Sequence, residues 1–321
     1  MALVLTEEQT LLQQTAREFV ESKSPVSELR RLRDGDDPDG LDRALWREMA
    51  ELGWAGVTLP EDLGGMEMGW LELGLLFEEC GRTLTAHPLL SLVLAGECIA
   101  RAGNETQRKE RLAPAAAGEA LLALALQEGP HHDPFGVTTT ARAEGAGFVL
   151  DGHKTQVLDG HVADTLVVVA RTDGQPGDRD GLSLFLVDPA AQGVRVTRTR
   201  VIDGRNAANV ALEGVAVGPE AVLGEPGRGA EVLEPVLDRA TALLCAEMVG
   251  SLGTAFEKTI EYLKTREQFG VPIGSFQALK HRAAEMFVEL ELARAIVRDA
   301  LSALDEGRDE ARALVHCAKA R

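Results

Sequence analysis

The chain has 321 residues, 45 % of them apolar and 26 % charged, enough material for the cores of two or three domains. Aromatics are only 4 % and the formal charge is −18, a balance that speaks against DNA, RNA and anionic membranes as partners. Four cysteines, Cys80, Cys98, Cys245 and Cys317, make no C-x-x-C pair and read as reduced, mostly buried thiols of a cytoplasmic protein rather than a metal site.

Residues 1–118 read as helical. Thr6-Glu7-Glu8-Gln9 has the pattern of a capping box, and Leu12, Ala16, Phe19 and Val20 follow at helical spacing. The first twenty residues are amphipathic and carry acids early, unlike a secretory signal. Asp34 to Gly40 is a loop, and the pattern predicts helices near 41–52, 69–81, 86–102 and 104–117, with the turn-rich Leu59–Gly65 between the first two. From 119 to 225 the period changes: short β-rich runs appear at 121–126, 137–143, 148–150, 165–170, 182–187, 194–199 and 210–212. Closely spaced strands without crossover helices predict an antiparallel barrel or sandwich, not a parallel nucleotide-binding sheet. Helix then returns. Gly229–Thr265 reads as one helix, about 55 Å long at 1.5 Å per residue. Phe276–Leu304 is another, and a third starts at Asp309. The expected fold is therefore α+β, with an all-α domain over 1–118, a β-barrel or sandwich over 119–225 and an incomplete helical bundle over 226–321. No apolar run reaches the roughly 18 residues needed to span a bilayer.

The most distinctive segment is Arg266-Glu267-Gln268-Phe269-Gly270-Val271-Pro272-Ile273-Gly274-Ser275-Phe276-Gln277. Gly270 breaks one helix and Ser275 caps the next, leaving a cation, an amide and an aromatic ring within four residues. Such a corner suits a phosphate and a flat heterocycle. It suits a plain helix–helix corner with a surface Arg equally well. This segment resembles the signature of the acyl-CoA dehydrogenase family. Leu59–Gly65, Glu78-Glu79-Cys80-Gly81-Arg82 and Leu223–Gly229 resemble family patterns in the same order, so the resemblance covers essentially the whole chain.

The resemblance implies an FAD enzyme that puts an α,β double bond into an acyl-CoA thioester and hands its electrons to an electron-transfer flavoprotein. It implies that Arg266 contacts the FAD pyrophosphate, with Gln268, Phe269 and Gln277 near the adenosine, on the flavin of a neighbouring subunit in a homo- or hetero-oligomeric dimer of dimers. Two β-domain segments, around Leu126-Gln127 and around Gln156-Val157-Leu158, would touch the isoalloxazine. Here Gln127 replaces a Thr, and Gln156 and Leu158 stand where the family often has Trp and Thr. The adjacent His131 and His132 read as solvated turn residues.

The reaction needs a carboxylate base. The resemblance implies that the usual Glu lies beyond Arg321, and that the alternative family position is Ala240, which cannot act. Between Ala240 and Phe256 the one charged residue is Glu247. It lies two turns beyond Ala240 on the same helix face. It reads as a desolvated general base, or as a buried acid paired to Arg282 or Arg294. The divergent flavin-side residues point to a bulky acyl group, such as a steroid side chain. Two further readings stay open: a catalytically incomplete partner subunit of a mixed tetramer, and a flavin monooxygenase on the same fold.

Overall fold

Thr6 opens the first helix as expected. Its hydroxyl accepts from the Gln9 amide at 3.1 Å and its own N–H donates to Gln9 Oε1 at 3.0 Å, which satisfies two end groups of α1 (Glu7–Lys23). The structure, a computed structural model, describes residues 4–35 and 37–321. Residues 1–3 of the amphipathic start and Asp36 of the expected loop lie outside the described residues. The helices α2 (Val26–Asp34), α3 (Arg43–Glu51), α4 (Trp70–Thr83), α5 (Leu89–Ala102) and α6 (Glu105–Ala116) precede the first strand. The strands are β1 (Leu122–Ala125), β2 (Thr140–Glu144), β3 (Gly147–Leu158), β4 (Thr165–Arg171), β5 (Leu182–Val187), β6 (Val194–Arg200), β7 (Asn206–Val217) and β8 (Val222–Leu223). The chain ends in α7 (Gly229–Thr265), the short pair β9 (Glu267–Gln268) and β10 (Val271–Pro272), α8 (Gln277–Glu306) and α9 (Ala311–Ala320). No helix of the described residues is long and apolar enough to cross a membrane.

Packing groups the chain into two compact units, each assembled from separate stretches. The first combines Met1–Leu29, Met68–Thr85 and Thr241–Arg321. Its central helix α4 carries acids on buried positions, and each acid is met by arginine. Glu79, fully buried, accepts from Arg17 Nε and Nη2, both at 2.9 Å. Glu78 accepts from Arg294 Nε at 2.9 Å. Arg82 in turn grips Glu257 with two nitrogens at 3.0 and 2.8 Å. Buried charge survives only with such partners.

The second unit combines Arg30–Glu67 and Ala86–Ala240 and holds the sheet. The strand order is β6-β7-β3-β2-β4-β5-β8, with β1 beside β4. The expected barrel does not close: the path runs from β6 at one edge to β8 at the other. Nor is the sheet purely antiparallel, because β1 and β4 pair in parallel. One face packs a core that includes Leu150, Leu166, Val168, Phe185, Val210 and Val215. Arg171, buried at the end of β4, donates to the carbonyls of Phe135, Val137, Asp173, Asp178 and Asp180. One guanidinium thus holds two loops to the end of the sheet.

Candidate active site

In the sheet unit the loop after β1 is sewn to β3. Gln127 folds its amide back, donating to the carbonyls of Gly129 at 2.8 Å and His131. The Gln127 carbonyl accepts from the Thr155 amide at 2.7 Å. Lys154 is fully buried (0 % exposed), and its ammonium donates to Glu128 Oε1 at 2.6 Å and to the Leu126 carbonyl at 3.3 Å. The Glu128 carboxylate also accepts from the amides of Thr138 at 2.6 Å and Thr139 at 3.0 Å, and from the Thr138 hydroxyl. Burial works against a charged Glu128, yet Lys154 and these donors hold its carboxyl down to about 2. For Lys154 burial prevails over the attraction of Glu128 and brings the ammonium down to about 8. A cavity of about 220 Å³ opens on this loop, lined by Leu126, Glu128, Gly129, Pro130, His131 and Asp133. His131 and His132 are both exposed, as turn residues are.

A bulge follows in β3. The register against β7 shifts between Lys154 and Val157, and Gln156 takes a left-handed φ of 51°. Gln156 is exposed and Leu158 half-buried. Val157 is 1 % exposed and belongs to the sheet core, so its side chain is already committed there and is not a surface for a ligand. Asp159, with φ 52°, is buried and accepts from Ser91 Oγ at 2.6 Å. Burial pushes its carboxyl up to about 6, against the hydrogen bonds of Ser91 and Asn206 and the charge of Arg205. The buried Lys154 and Asp159 both escaped the sequence reading. The signal for Lys154 was there: alternation along β3 places it on the same face as Leu150, which is inward, and an inward lysine requires a carboxylate.

In the helical unit, Glu247 is 8 % exposed. Its helix α7 lies backbone-to-backbone on α4. A Cβ added to Gly81 would stand 2.8 Å from the Glu247 carbonyl carbon and 3.0 Å from its Cα. Ser251 Oγ adds a hydrogen bond to the Gly81 carbonyl at 2.9 Å. Of the two expected ion partners, Arg294 gives its guanidinium to Glu78 and Glu291, and Arg282 is exposed on a groove of about 690 Å³ between α7 and α8. Cys80 is buried close by; burial first, then the charges of Glu247 and Glu79, push its thiol far up.

The distinctive corner forms a two-residue hairpin. Val271 pairs with Gln268 and Pro272 with Glu267, and both turn residues, Phe269 (φ 55°) and Gly270 (φ 78°), are left-handed. Phe269 is 93 % exposed and sits edge-on to Phe276, centroid to centroid 6.1 Å. Arg266, Gln268 and Gln277 are exposed with it, and Arg266 makes no ion pair among the described residues. The structure thus brings Arg266, Gln268, Phe269 and Gln277 to one corner. It brings Leu126, Gln127, Gln156 and Leu158 to one bulged loop–strand junction.

Residues 6–119 match the acyl-CoA dehydrogenase N-terminal domain, 127–215 the middle domain and 227–321 the C-terminal domain. Glutaryl-CoA dehydrogenase of Desulfococcus multivorans is 32 % identical over 314 residues, 95 % of this chain and 79 % of that protein. The chain belongs to the acyl-CoA dehydrogenase family. The glutaryl-coenzyme A dehydrogenase structure with glutaryl-CoA superimposes with a TM-score of 0.89 at 29 % identity, over 99 % of this chain and 83 % of that one. A steroid acyl-CoA dehydrogenase variant, Tcur3481–Tcur3483, gives a TM-score of 0.84 at 34 % identity, over 98 % and 82 %. The chain spans between 66 % and 82 % of the length of the curated relatives it matches.

Acyl-CoA dehydrogenases are flavoproteins that bind FAD. At the bulged junction the residues fit a flavin through backbone and small groups rather than through an aromatic ring. Thr155 Oγ1 in the bulge is buried and has no hydrogen-bond partner among the described residues, an open donor and acceptor of the kind a bound heterocycle satisfies. Leu158 offers an apolar flank. At the corner, a solvent-facing phenyl beside an uncommitted guanidinium fits an adenine and a pyrophosphate.

Proposed function

We propose that this chain serves FAD-dependent α,β-dehydrogenation of an acyl-CoA thioester, with Glu247 as the base. The observation that carries the proposal is the burial of Glu247 on α7, within a stretch of apolar and small residues. A thioester acidifies its α C–H. A buried carboxylate on this helix is the group proposed to take the α proton. A bound flavin would supply the hydride acceptor for the β carbon. The packing of Gly81 on the Glu247 backbone fixes where the carboxylate originates.

Arg266 lies nineteen residues beyond Glu247 on α7 and just past its end, about 28 Å along the axis at 1.5 Å per residue. That span supports a division of labour, in which Arg266, Gln268, Phe269 and Gln277 hold the dinucleotide of a neighbouring subunit. Leu126, Gln127, Gln156 and Leu158 then serve the chain's own isoalloxazine. The exposed Gln156, in place of a stacking Trp, leaves room for a bulky acyl group, and a steroid acyl-CoA dehydrogenase is among the similar structures. An electron-transfer flavoprotein is the proposed electron acceptor.

The test is a visible spectrum of the purified protein, followed by anaerobic addition of acyl-CoA thioesters. A yellow protein that bleaches, and a Glu247→Gln variant that stays yellow, are expected. Equal bleaching of the variant removes Glu247 from the role. The loss of the ring at Gln156 favours one second reading, a partner subunit that completes another chain's site. It predicts a colourless protein alone and flavin binding only after mixing with that partner.

A further inference from the structure

We propose that the buried Lys154–Glu128 pair is the positioning device of the flavin-facing junction, holding the loop after β1 and the bulge of β3 in the one register that receives FAD. This inference rests on the flavin reading above and assigns the pair a role within it. Lys154 Nζ reaches Glu128 at 2.6 Å and the Leu126 carbonyl at 3.3 Å. Glu128 reaches on to the amides of Thr138 and Thr139, at 2.6 and 3.0 Å, across the base of the loop. The next residue, Thr155, donates its amide to Gln127 at 2.7 Å. Three points of one loop, the Leu126 and Gln127 carbonyls and the Glu128 carboxylate, therefore converge on two successive residues of β3, immediately before the register shift that presents Gln156 and Leu158.

A pair needed only for stability is a poor solution here. Replacing a buried ion pair with apolar groups of similar volume is commonly neutral or stabilising. What an apolar pair cannot do is hold two backbone amides and a carbonyl at fixed places. Glu128 accepts from both sides of the loop base, and Lys154 is the cation that keeps it charged and aimed. The pair acts through the backbone of Leu126, Gln127, Thr138 and Thr139, so it positions the junction and need not touch a reacting atom.

The experiment titrates FAD into apo-protein of the parent, Lys154→Met, Glu128→Gln and the double variant, following flavin fluorescence, the shape of the visible band and the thermal midpoint. Each single variant leaves a buried charge alone and is expected to lower the midpoint and weaken FAD at least tenfold. The double variant removes both charges. Its midpoint is expected to return toward the parent's while FAD still binds at least tenfold more weakly with an altered visible band. A double variant that binds FAD as the parent does, with the same spectrum, overturns the proposal and leaves the pair a structural one. Should the variants not fold, amide exchange in the parent decides. The Thr138, Thr139 and Thr155 amides are expected to be protected in the apo form and more so with FAD; free exchange at all three overturns the clamp. A parent that binds no FAD overturns the flavin reading instead, and the three amides still report on the clamp.

Discussion

Gly81→Ala tests the contact that sets Glu247. The added Cβ would lie 2.8 Å from the Glu247 carbonyl carbon and 3.0 Å from its Cα, and closer still to its oxygen. Relaxed carbon contacts need about 3.5–4.0 Å, so α7 must retreat by on the order of 1 Å. Overpacking of this kind costs about 1–3 kcal/mol. The better helix propensity of Ala returns about 1 kcal/mol, leaving a net loss of about 0–2 kcal/mol in urea unfolding against a net gain for the control below. Gly96→Ala on α5 is the control. There the new methyl would stand 3.6 Å from Leu112 Cδ2 and 3.7 Å from Leu92 Cδ1, ordinary contact, so only the propensity gain of about 1 kcal/mol at most is left. In stopped-flow reduction of the flavin by acyl-CoA, a shift on the order of 1 Å at the base predicts a rate lower by about a hundredfold for Gly81→Ala and none for Gly96→Ala. Equal urea midpoints for the two variants would refute the close α4–α7 packing. A destabilised Gly81→Ala with an unchanged rate would refute Glu247 as the base.

Asp159→Asn should stabilise the protein at pH 8 and lose that advantage in acid. The folded protein holds the Asp159 proton more tightly than the unfolded chain, so the acid's contribution is full below 3.8 and is lost as pH rises through about 6. The gap is at most about 3 kcal/mol, read from urea midpoints between pH 4 and 8. Arg171→Lys keeps the charge but reduces the fork that serves five carbonyls to three donors. A loss of about 1–3 kcal/mol is expected, and an unchanged unfolding midpoint would contradict the hub. Phe269→Ala, at a ring 93 % exposed in the single chain, should alter the chain's own unfolding by less than about 0.5 kcal/mol while weakening FAD binding and subunit association. Sedimentation velocity and a flavin titration separate the two effects.

The helices were legible because their signals are local. Gly229–Thr265 has the bounds its pattern predicts, since its runs of Ala, Leu and Glu favour helix strongly enough to carry it through Pro235 near its start. The strands were legible only where they are apolar. β3 spans Gly147–Leu158 and β7 Asn206–Val217, far beyond the runs 148–150 and 210–212. Asp151-Gly152-His153 and Asn206-Ala207-Ala208-Asn209 look like turns, and only cross-strand pairing makes them strand. The open edge between β6 and β8 had no local signature at all. At the junction, the motif residues were visible as letters, but Lys154 meets Glu128 from 26 positions away, and Asp159 meets Ser91 from 68. Such meetings belong to topology rather than to spacing.

The charge balance poses the remaining question, and its answer has a measurable sign. The chain carries 33 basic against 51 acidic residues, yet the proposed cofactor is a dianion. Inside the helical unit the arginines on and around α4 are already committed: Arg17 to Glu79, Arg82 to Glu257, Arg294 to Glu78. Arg266 is exposed, and makes no ion pair among the described residues. Attraction at that corner therefore acts over contact distance, where salt screens little, while the net charge of −18 repels over tens of ångströms, where salt screens well. Raising ionic strength from about 0.01 to 0.15 M shortens the screening length from about 30 to 8 Å. The dissociation constant for FAD should stay level or fall across that range. A protein that grips phosphate with a basic field does the opposite. A tenfold rise in the dissociation constant would mean that a broad positive surface, not the Arg266 corner, holds the ligand.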